Sequence, residues 1–195
     1  MSPKQIAALK AVVFVLALGP FAYLLCGLFF NGLGANPAEY ITRSTGDWTL
    51  RFLLITLAVT PLRKITGWNW LLRLRRMLGL YAFFYVCLHM LSYTAFDQVF
   101  DVAEILRDIA KRPFITVGFT AFLLLIPLAA TSTNAMVKRL GAQRWMKLHR
   151  LVYVIGVLGV IHFWMMVKRD ITEPAIYAFI LALLLGYRVY RARKA

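Results

Sequence analysis

Long apolar runs dominate this chain and restrict it to folds that a lipid bilayer can accommodate. Of its 195 residues, 61% are hydrophobic, which is too many for a soluble domain of this size. A helix that crosses a membrane needs about 20 mostly apolar residues, since each residue adds about 1.5 Å along the axis. Six stretches qualify as candidate spans: 11–30, 48–62, 77–96, 114–131, 147–167 and 175–190. We therefore predict an all-α membrane protein, a six-transmembrane-helix bundle that forms one domain over residues 1–195.

The first stretch has a second interpretation, as the core of a cleaved signal peptide. It is longer than such a core and no clear small-residue cleavage site follows it, so we interpret it as a helix that ends at the turn-rich segment 31–37.

The charged residues favour one orientation of this bundle. With the N-terminus inside, most of the 23 Lys and Arg residues fall on the inner side, chiefly in the basic loops 63–76 and 138–147 and near the C-terminus. All 8 Asp and Glu residues then fall outside. The excess of basic residues predicts an N-in and C-in topology. It also explains the net charge of +15 without nucleic acid. Attraction of the basic loops to anionic lipid headgroups is consistent with the same topology and is not an alternative to it.

Segment 97–113 carries the pattern of a short amphipathic helix on the outer surface. Asp101 is followed three residues later by Glu104, which resembles a capping box. Apolar residues recur at helical spacing at Val99, Val102, Ile105, Leu106 and Ile109. The apolar face either contacts membrane lipid or forms a docking ledge for an extracytoplasmic partner.

Two histidines lie deep within predicted spans, where an ionisable side chain is costly and points to function. His89 follows the inner end of its span by 12 residues, about 18 Å, and His162 follows Lys147 by 15 residues, about 22 Å. Both spans run in the same direction, so the two imidazoles share a level in the outer half of a core about 30 Å thick. We predict that they ligate one haem iron from both faces. The chain has no C-x-x-C-H motif, which excludes covalent c-type haem.

The third histidine, His149, lies near the inner edge of its span and has two interpretations. It serves a second, inner haem, or it forms a hydrogen bond to another helix. The matching level of the 77–96 helix holds Arg76 and Met77, where Met77 could ligate iron and Arg76 could pair with a haem propionate. The residues from His149 to His162 rotate by roughly 220° on one ideal helix, so the two rings do not share a face.

Arg51 is the remaining charge inside a predicted span. Its side chain either extends to the outer interface or pairs with a propionate of the outer haem. Lys168 and Arg169, at the outer end of the 147–167 helix, could make the same contact.

The same histidines could also serve a metal-ion or proton transporter, and a third possibility is a structural anchor for a partner. A transport path should include carboxylates inside the membrane. None of the predicted spans contains one, which favours haem.

The segments RRMLGLYAFFYVCLHMLSY (75–93) and KLHRLVYVIGVLGVIHFWMMV (147–167) resemble the MsrQ (YedZ) family of the ferric reductase-like transmembrane superfamily. The resemblance extends over essentially the whole chain. It implies that His89 and His162 hold haem b, with His149 as a further candidate ligand. Two-haem members of the superfamily carry paired histidines on each of two helices, and here Arg76 stands where the fourth would be.

The resemblance also implies a role and partners. Members of this family are haem-binding subunits of the bacterial inner membrane that pass electrons from quinol or a flavoprotein to a periplasmic molybdopterin reductase, MsrP, as a heterodimer. MsrP reduces methionine sulfoxide in oxidised proteins, and FMN is associated with the family. The chain has no G-x-G-x-x-G unit for a nicotinamide cofactor, so its electrons would come from a separate donor.

Overall fold

The computed structural model describes residues 1–30 and 32–194, and all regular structure in these residues is helical. The chain forms two compact units, Met1–Phe100 and Asp101–Ala195. Three long helices build the first unit: α1 (Pro3–Phe29), α2 (Pro37–Thr66) and α3 (Leu72–Ser92). Six helices build the second: α4 (Val102–Lys111), α5 (Pro113–Ala130), α6 (Asn134–Leu140), α7 (Ala142–His149), α8 (Leu151–Met166) and α9 (Thr172–Arg193). The predicted all-α class is confirmed, and a single domain over the chain stays a prediction.

Within residues 1–30 and 32–194, five helical segments are long and apolar enough to cross a membrane: Pro3–Phe29, Asn69–Asp97, Pro113–Ala130, Ala142–Met166 and Thr172–Arg193. They correspond, to within one residue at their C-terminal ends, to five of the six predicted spans or enclose them. The sixth predicted span, 48–62, lies inside α2, which is 30 residues long but more polar than the others. The six-span count and the N-in, C-in topology remain predictions.

Capping residues explain why two helices begin earlier than hydropathy predicts. The Ser2 hydroxyl accepts a hydrogen bond from the Gln5 amide at 3.3 Å, and the Gln5 side chain accepts from the Ser2 amide at 2.8 Å. This capping box places the start of α1 at Pro3 rather than at residue 11. At α2 the Asn36 side chain accepts from the Glu39 amide, so the predicted start at residue 48 is wrong.

The early start of α2 also brings Asp47 into the helix. It lies one residue before the predicted span 48–62, which itself contains no carboxylate. The predicted turn 31–37 begins at a residue outside the described part of the chain.

The two predicted basic loops are largely helical, which is a second correction. Residues 63–76 contain the end of α2, a 3₁₀ turn at Asn69–Leu71 and the start of α3. Gly67, with a φ of 75°, ends α2 in the left-handed conformation that glycine favours. Residues 138–147 likewise belong mostly to α6 and α7. The polar composition of these segments suggested loops. Lys and Arg are nevertheless good helix formers, so a basic segment can be helical without an apolar face.

In the first unit, α2 packs along α3 and supplies more buried side chains than any other helix of this unit. Phe52 stacks on Tyr81 and Tyr85, with ring centroids 5.4 Å apart in both pairs. The buried Tyr85 hydroxyl donates to the Ala17 carbonyl at 2.8 Å and accepts from the Phe21 amide at 3.2 Å. The hydroxyl is therefore inserted between the Ala17 carbonyl and the Phe21 amide, which are four residues apart on α1, and its two hydrogen bonds join α3 to α1.

In the second unit, α5 packs along α8, and α9 also packs against α8. The short α4 begins where Asp101 accepts hydrogen bonds from the amides of Ala103 and Glu104. Its apolar residues Val102 and Leu106 are exposed, as expected for a helix on the membrane surface. The predicted amphipathic helix is present, and what covers its apolar face stays a prediction.

The predicted single helix 147–167 is interrupted. His149 ends α7, Leu151 begins α8, and Arg150 lies between them in a tighter turn. The Arg150 amide bonds to the Lys147 carbonyl and the Tyr153 amide bonds to the Arg150 carbonyl, both three residues back. The rotation of roughly 220° calculated for one ideal helix therefore does not apply to His149 and His162.

Candidate functional site

His89 lies three residues before the end of α3, half-buried against α2. Its Nδ1 lies 2.8 Å from the carbonyl oxygen of Thr42, 47 residues earlier. A carbonyl can only accept, so Nδ1 carries the proton and the neutral ring has its lone pair on Nε2. The ring also packs against Gly46: a Cβ added to this glycine would lie 3.1 Å from Cε1 and 3.2 Å from Nδ1.

His162 has the same arrangement in the second unit. It lies four residues before the end of α8 and is also half-buried. Its Nδ1 lies 2.8 Å from the carbonyl oxygen of Phe114 on α5, 48 residues earlier. Here the ring packs against Gly118, where an added Cβ would lie 2.8 Å from both Cε1 and Nδ1. The proton again lies on Nδ1 and the lone pair on Nε2.

We call each set of histidine, backbone acceptor and glycine a histidine seat. In both seats the glycine follows the acceptor residue by four positions, which places the two on one face of the helix, one turn apart. The acceptors and glycines of the two seats are separated by 72 residues, and His89 and His162 by 73. The sequence-based reasoning found the histidines but missed the glycines. This repeated spacing is the signal that could have revealed them.

His149 is held in a different way, at the end of α7. Its Nε2 lies 3.0 Å from the hydroxyl of Thr131, just after α5. The same hydroxyl lies 2.6 Å from the Pro127 carbonyl, to which it must donate, so it accepts from the imidazole and Nε2 carries the proton. Trp145 stacks on the ring with centroids 3.9 Å apart and donates its indole N–H to the Thr131 carbonyl. The predicted hydrogen bond to another helix is therefore present.

Arg76 and Met77 lie in the first half of α3, where Arg76 is exposed and Met77 half-buried. Arg76 precedes His89 by as many residues as His149 precedes His162, so it occupies the corresponding position of the first unit. The roles of Arg76 and Met77 at a second haem stay predictions.

Arg51 lies on α2 with its guanidinium 4.9 Å from the centre of the Trp48 ring. It lines an open cavity of about 570 Å³ between α1 and α2, together with Gly19, Pro20, Tyr23, Tyr40, Arg43, Ser44, Asp47 and Trp48. Five residues separate it from Gly46, which turns it about 140° around the helix. The structure thus places Arg51 at this cavity, and a contact with a haem propionate stays a prediction.

Two neutral imidazoles with protonated Nδ1 are suited to one kind of chemistry. Ligating histidines commonly donate one ring N–H to a backbone carbonyl, which sets the tautomer, orients the ring and makes the other nitrogen more basic. His89 and His162 meet this requirement, whereas His149 directs its protonated Nε2 at Thr131.

Comparison with known proteins points in the same direction. The profile of the family described as "Ferric reductase like transmembrane component" matches residues 45–160, a range that contains His89 and His149 and ends two residues before His162. No solved structure matches.

Curated relatives match over nearly the whole chain. The relative from Herminiimonas arsenicoxydans is 59% identical over 193 residues, which cover 98% of this chain and 88% of the relative. The relative from Azospira oryzae is 57% identical, with coverages of 96% and 81%, and that from Polaromonas naphthalenivorans is 60% identical, with coverages of 94% and 84%. All three are named protein-methionine-sulfoxide reductase heme-binding subunit MsrQ.

Proposed function

Because this chain belongs to the MsrQ family, within the ferric reductase-like transmembrane proteins, we propose that it is a haem b electron-transfer subunit. It is a multi-pass membrane protein with five helices long and apolar enough to cross a bilayer. In this role it serves a methionine sulfoxide reductase and is not itself the catalytic subunit.

The observation that carries the proposal is the shared geometry of the two histidine seats. A haem held without a covalent tether depends on axial ligands, and neutral imidazole is a common one. In each seat a backbone carbonyl holds the Nδ1 proton, so Nε2 is the ligating nitrogen. The glycine at each ring forms a recess that a Cβ would fill. The residues present therefore fit the group, which when bound supplies one-electron chemistry at its iron.

We propose that His89 and His162 ligate the same iron. The support is the residue count along the two predicted spans, which places both imidazoles at one level of the predicted bundle. In the structure each histidine lies within about one turn of the C-terminal end of its helix, α3 or α8. Arg51, Lys168 and Arg169 remain proposed partners for haem propionates.

His149, with Arg76 and Met77, remains a proposed set for a second haem. Ligation through Nε2 would require His149 to exchange the Thr131 hydroxyl for iron. The first unit offers Arg76 and Met77 at the corresponding level and no histidine there. One haem at His89 and His162 is therefore the core of the proposal, and a second is an extension of it.

The proposed donor is quinol or a flavoprotein, and the proposed acceptor is a periplasmic MsrP-like reductase that forms a heterodimer with the chain. The name of the relatives supports the acceptor, since they are subunits of a protein-methionine-sulfoxide reductase. FMN rests on the family resemblance alone. The bacterial origin of the relatives supports the inner membrane as the location.

The first test is the visible spectrum of the purified protein in detergent, oxidised and then reduced with dithionite. We expect the bands of a low-spin haem with two imidazole ligands, and His89→Ala and His162→Ala should each abolish them. If both variants keep the wild-type spectrum, the ligand assignment is wrong. A wild-type protein that binds no haem, but moves protons or metal ions across vesicle membranes, would instead support the transporter.

The second test addresses the electron path. The protein is placed in vesicles with a reduced quinone, and a purified periplasmic methionine sulfoxide reductase is added outside. We expect methionine sulfoxide to be reduced only when the haem-binding chain is present. Reduction that proceeds equally with His162→Ala would contradict the proposed role.

A further inference from the structure

The two glycines that face the histidine rings occupy positions where no side chain fits without movement. A Cβ on Gly118 would lie 2.8 Å from Cε1 and Nδ1 of His162 and 3.2 Å from its Cγ. A Cβ on Gly46 would lie 3.1 Å from Cε1, 3.2 Å from Nδ1 and 3.8 Å from Nε2 of His89. Carbon atoms without a bond between them prefer about 3.5–4.0 Å. The rings thus occupy the space that a Cβ would need.

The contact falls on a particular edge of each ring. In both seats the nearest ring atoms are Nδ1 and Cε1, and Nδ1 is the atom that donates to the carbonyl one helical turn earlier. One turn of α2 therefore supplies both the acceptor, at Thr42, and the open space, at Gly46. One turn of α5 does the same with Phe114 and Gly118. A methyl group at either glycine would press on the edge that carries the hydrogen bond.

From this we infer that Gly46 and Gly118 are positioning residues that fix the orientation of the two imidazoles and the strength of their bonds to the backbone. The inference rests on the proposed haem role and deepens it. Outer partners of a ligating histidine set its orientation and its basicity, and their loss commonly weakens metal binding by about 10- to 100-fold. Since the acceptors are backbone carbonyls, side-chain substitution cannot remove them, and the glycines are the points where substitution can disturb them.

The two seats differ in how tightly the glycine fits. At 2.8 Å the Gly118 contact is closer than atoms tolerate, so His162 would have to shift. At 3.1 Å the Gly46 contact requires His89 to move by only a few tenths of an ångström. We therefore expect Gly118→Ala to have the larger effect and Gly46→Ala the smaller one.

The experiment compares the haem-loaded wild type with Gly118→Ala and Gly46→Ala. Haem retention is measured by transfer to excess apomyoglobin, and the midpoint potential by redox titration of the visible bands. We expect Gly118→Ala to release haem about 10- to 100-fold more readily and Gly46→Ala less so. The potential should rise in both variants, because a weaker Nδ1–H bond makes Nε2 a poorer donor to the oxidised iron. The electron paramagnetic resonance signal of the oxidised haem should also shift, since it depends on ring orientation.

Two other helical glycines provide matched controls. A Cβ added at Gly186 meets nothing within 4 Å, and at Gly79 the nearest atom is the Thr56 methyl at 3.6 Å. Alanine at these positions makes the same chemical change and the same gain in helix propensity. We expect wild-type haem retention, potential and resonance signal from both.

The outcomes separate this inference from the proposed function. If His89→Ala and His162→Ala lose haem but both glycine variants match the wild type, the positioning role is wrong and the haem site stands. If the histidine variants keep haem, the proposed function fails first. Should Gly118→Ala not fold, as judged by size-exclusion chromatography and circular dichroism, Gly46→Ala decides the question alone.

Discussion

His149 and His162 belong to the same unit and lie 13 residues apart, yet their imidazoles are prepared for opposite tasks. At His162 the proton is on Nδ1, directed at the Phe114 carbonyl, and the lone pair is on Nε2. At His149 the proton is on Nε2, directed at the Thr131 hydroxyl, and Trp145 covers one face of the ring. The contrast indicates that the hydrogen-bond acceptor on a neighbouring segment sets which ring nitrogen of an imidazole in an apolar helix carries the proton.

Replacing these two histidines should give the largest difference. We expect His162→Ala to remove the visible bands of the haem that we propose it shares with His89. His149→Ala should leave those bands at full intensity, because its contacts lie with Thr131 and Trp145. The measurement is haem per protein by the pyridine haemochrome assay, alongside the reduced spectrum. If His149→Ala loses its haem as completely as His162→Ala, the two histidines do not have different roles. A loss of half the haem would reveal a second site.

In the first unit a tyrosine, Tyr85, makes the hydrogen bonds that join α3, the helix that carries His89, to α1. We expect Tyr85→Phe to destabilise the protein by about 1–3 kcal/mol, since two hydrogen bonds to α1 are lost at about 0.5–1.5 kcal/mol each. Tyr81→Phe, which loses only the bond from its hydroxyl to the Phe14 carbonyl, should cost about half as much. Thermal unfolding in detergent measures both. Equal effects would contradict the special role of the Tyr85 hydroxyl between two groups of α1.

Removing the hydrogen-bond partner of His149 tests whether this histidine stabilises the packing of its unit. Thr131→Val keeps the shape of the side chain but leaves the half-buried Nε2–H of His149 without its acceptor, at a cost of about 1–2 kcal/mol. The matched control is Thr120→Val on α5, where the exposed hydroxyl bonds only to the Thr116 carbonyl of its own helix. That variant should stay within about 0.5 kcal/mol of the wild type in the same unfolding assay. A loss in the control as large as that of Thr131→Val would show that the bond to His149 contributes nothing.

The smallest expected effect concerns the segment that follows His162. The hydrogen bonds of Thr172, from its side chain and its amide, lower the pKa of the Asp170 carboxyl below its ordinary value. A lowered pKa means that the carboxylate stabilises the start of α9 above the pKa of the unfolded chain, and that this is lost as pH falls through the folded value. We expect the protection factor of the Thr172 amide, which corrects its exchange rate for the intrinsic pH dependence of amide exchange, to fall at that low pH. In Asp170→Asn this pH dependence should disappear, and its persistence would assign it to another group.

The sequence by itself determined the class of the protein and placed His89 and His162 deep in two predicted spans. Hydropathy adds up over about 20 consecutive residues, so the apolar runs predict membrane helices without any knowledge of what they pack against. The positions of His89 and His162 near the C-terminal ends of two such helices follow by counting residues. At α2, hydropathy identified only the apolar part of the helix, residues 48–62, whereas the helix begins at Pro37 after the cap at Asn36.

Only the tertiary structure decided which acceptor each imidazole meets, and therefore which ring nitrogen carries its proton. The acceptors at Thr42 and Phe114 are backbone carbonyls, present at every residue, and they lie 47 and 48 residues away from the rings that they orient. No pattern of side chains marks such an acceptor, and only the packing of α2 on α3 and of α5 on α8 selects it. The recesses at Gly46 and Gly118 have the same origin, because a glycine becomes a binding feature only when another helix places a ring against it.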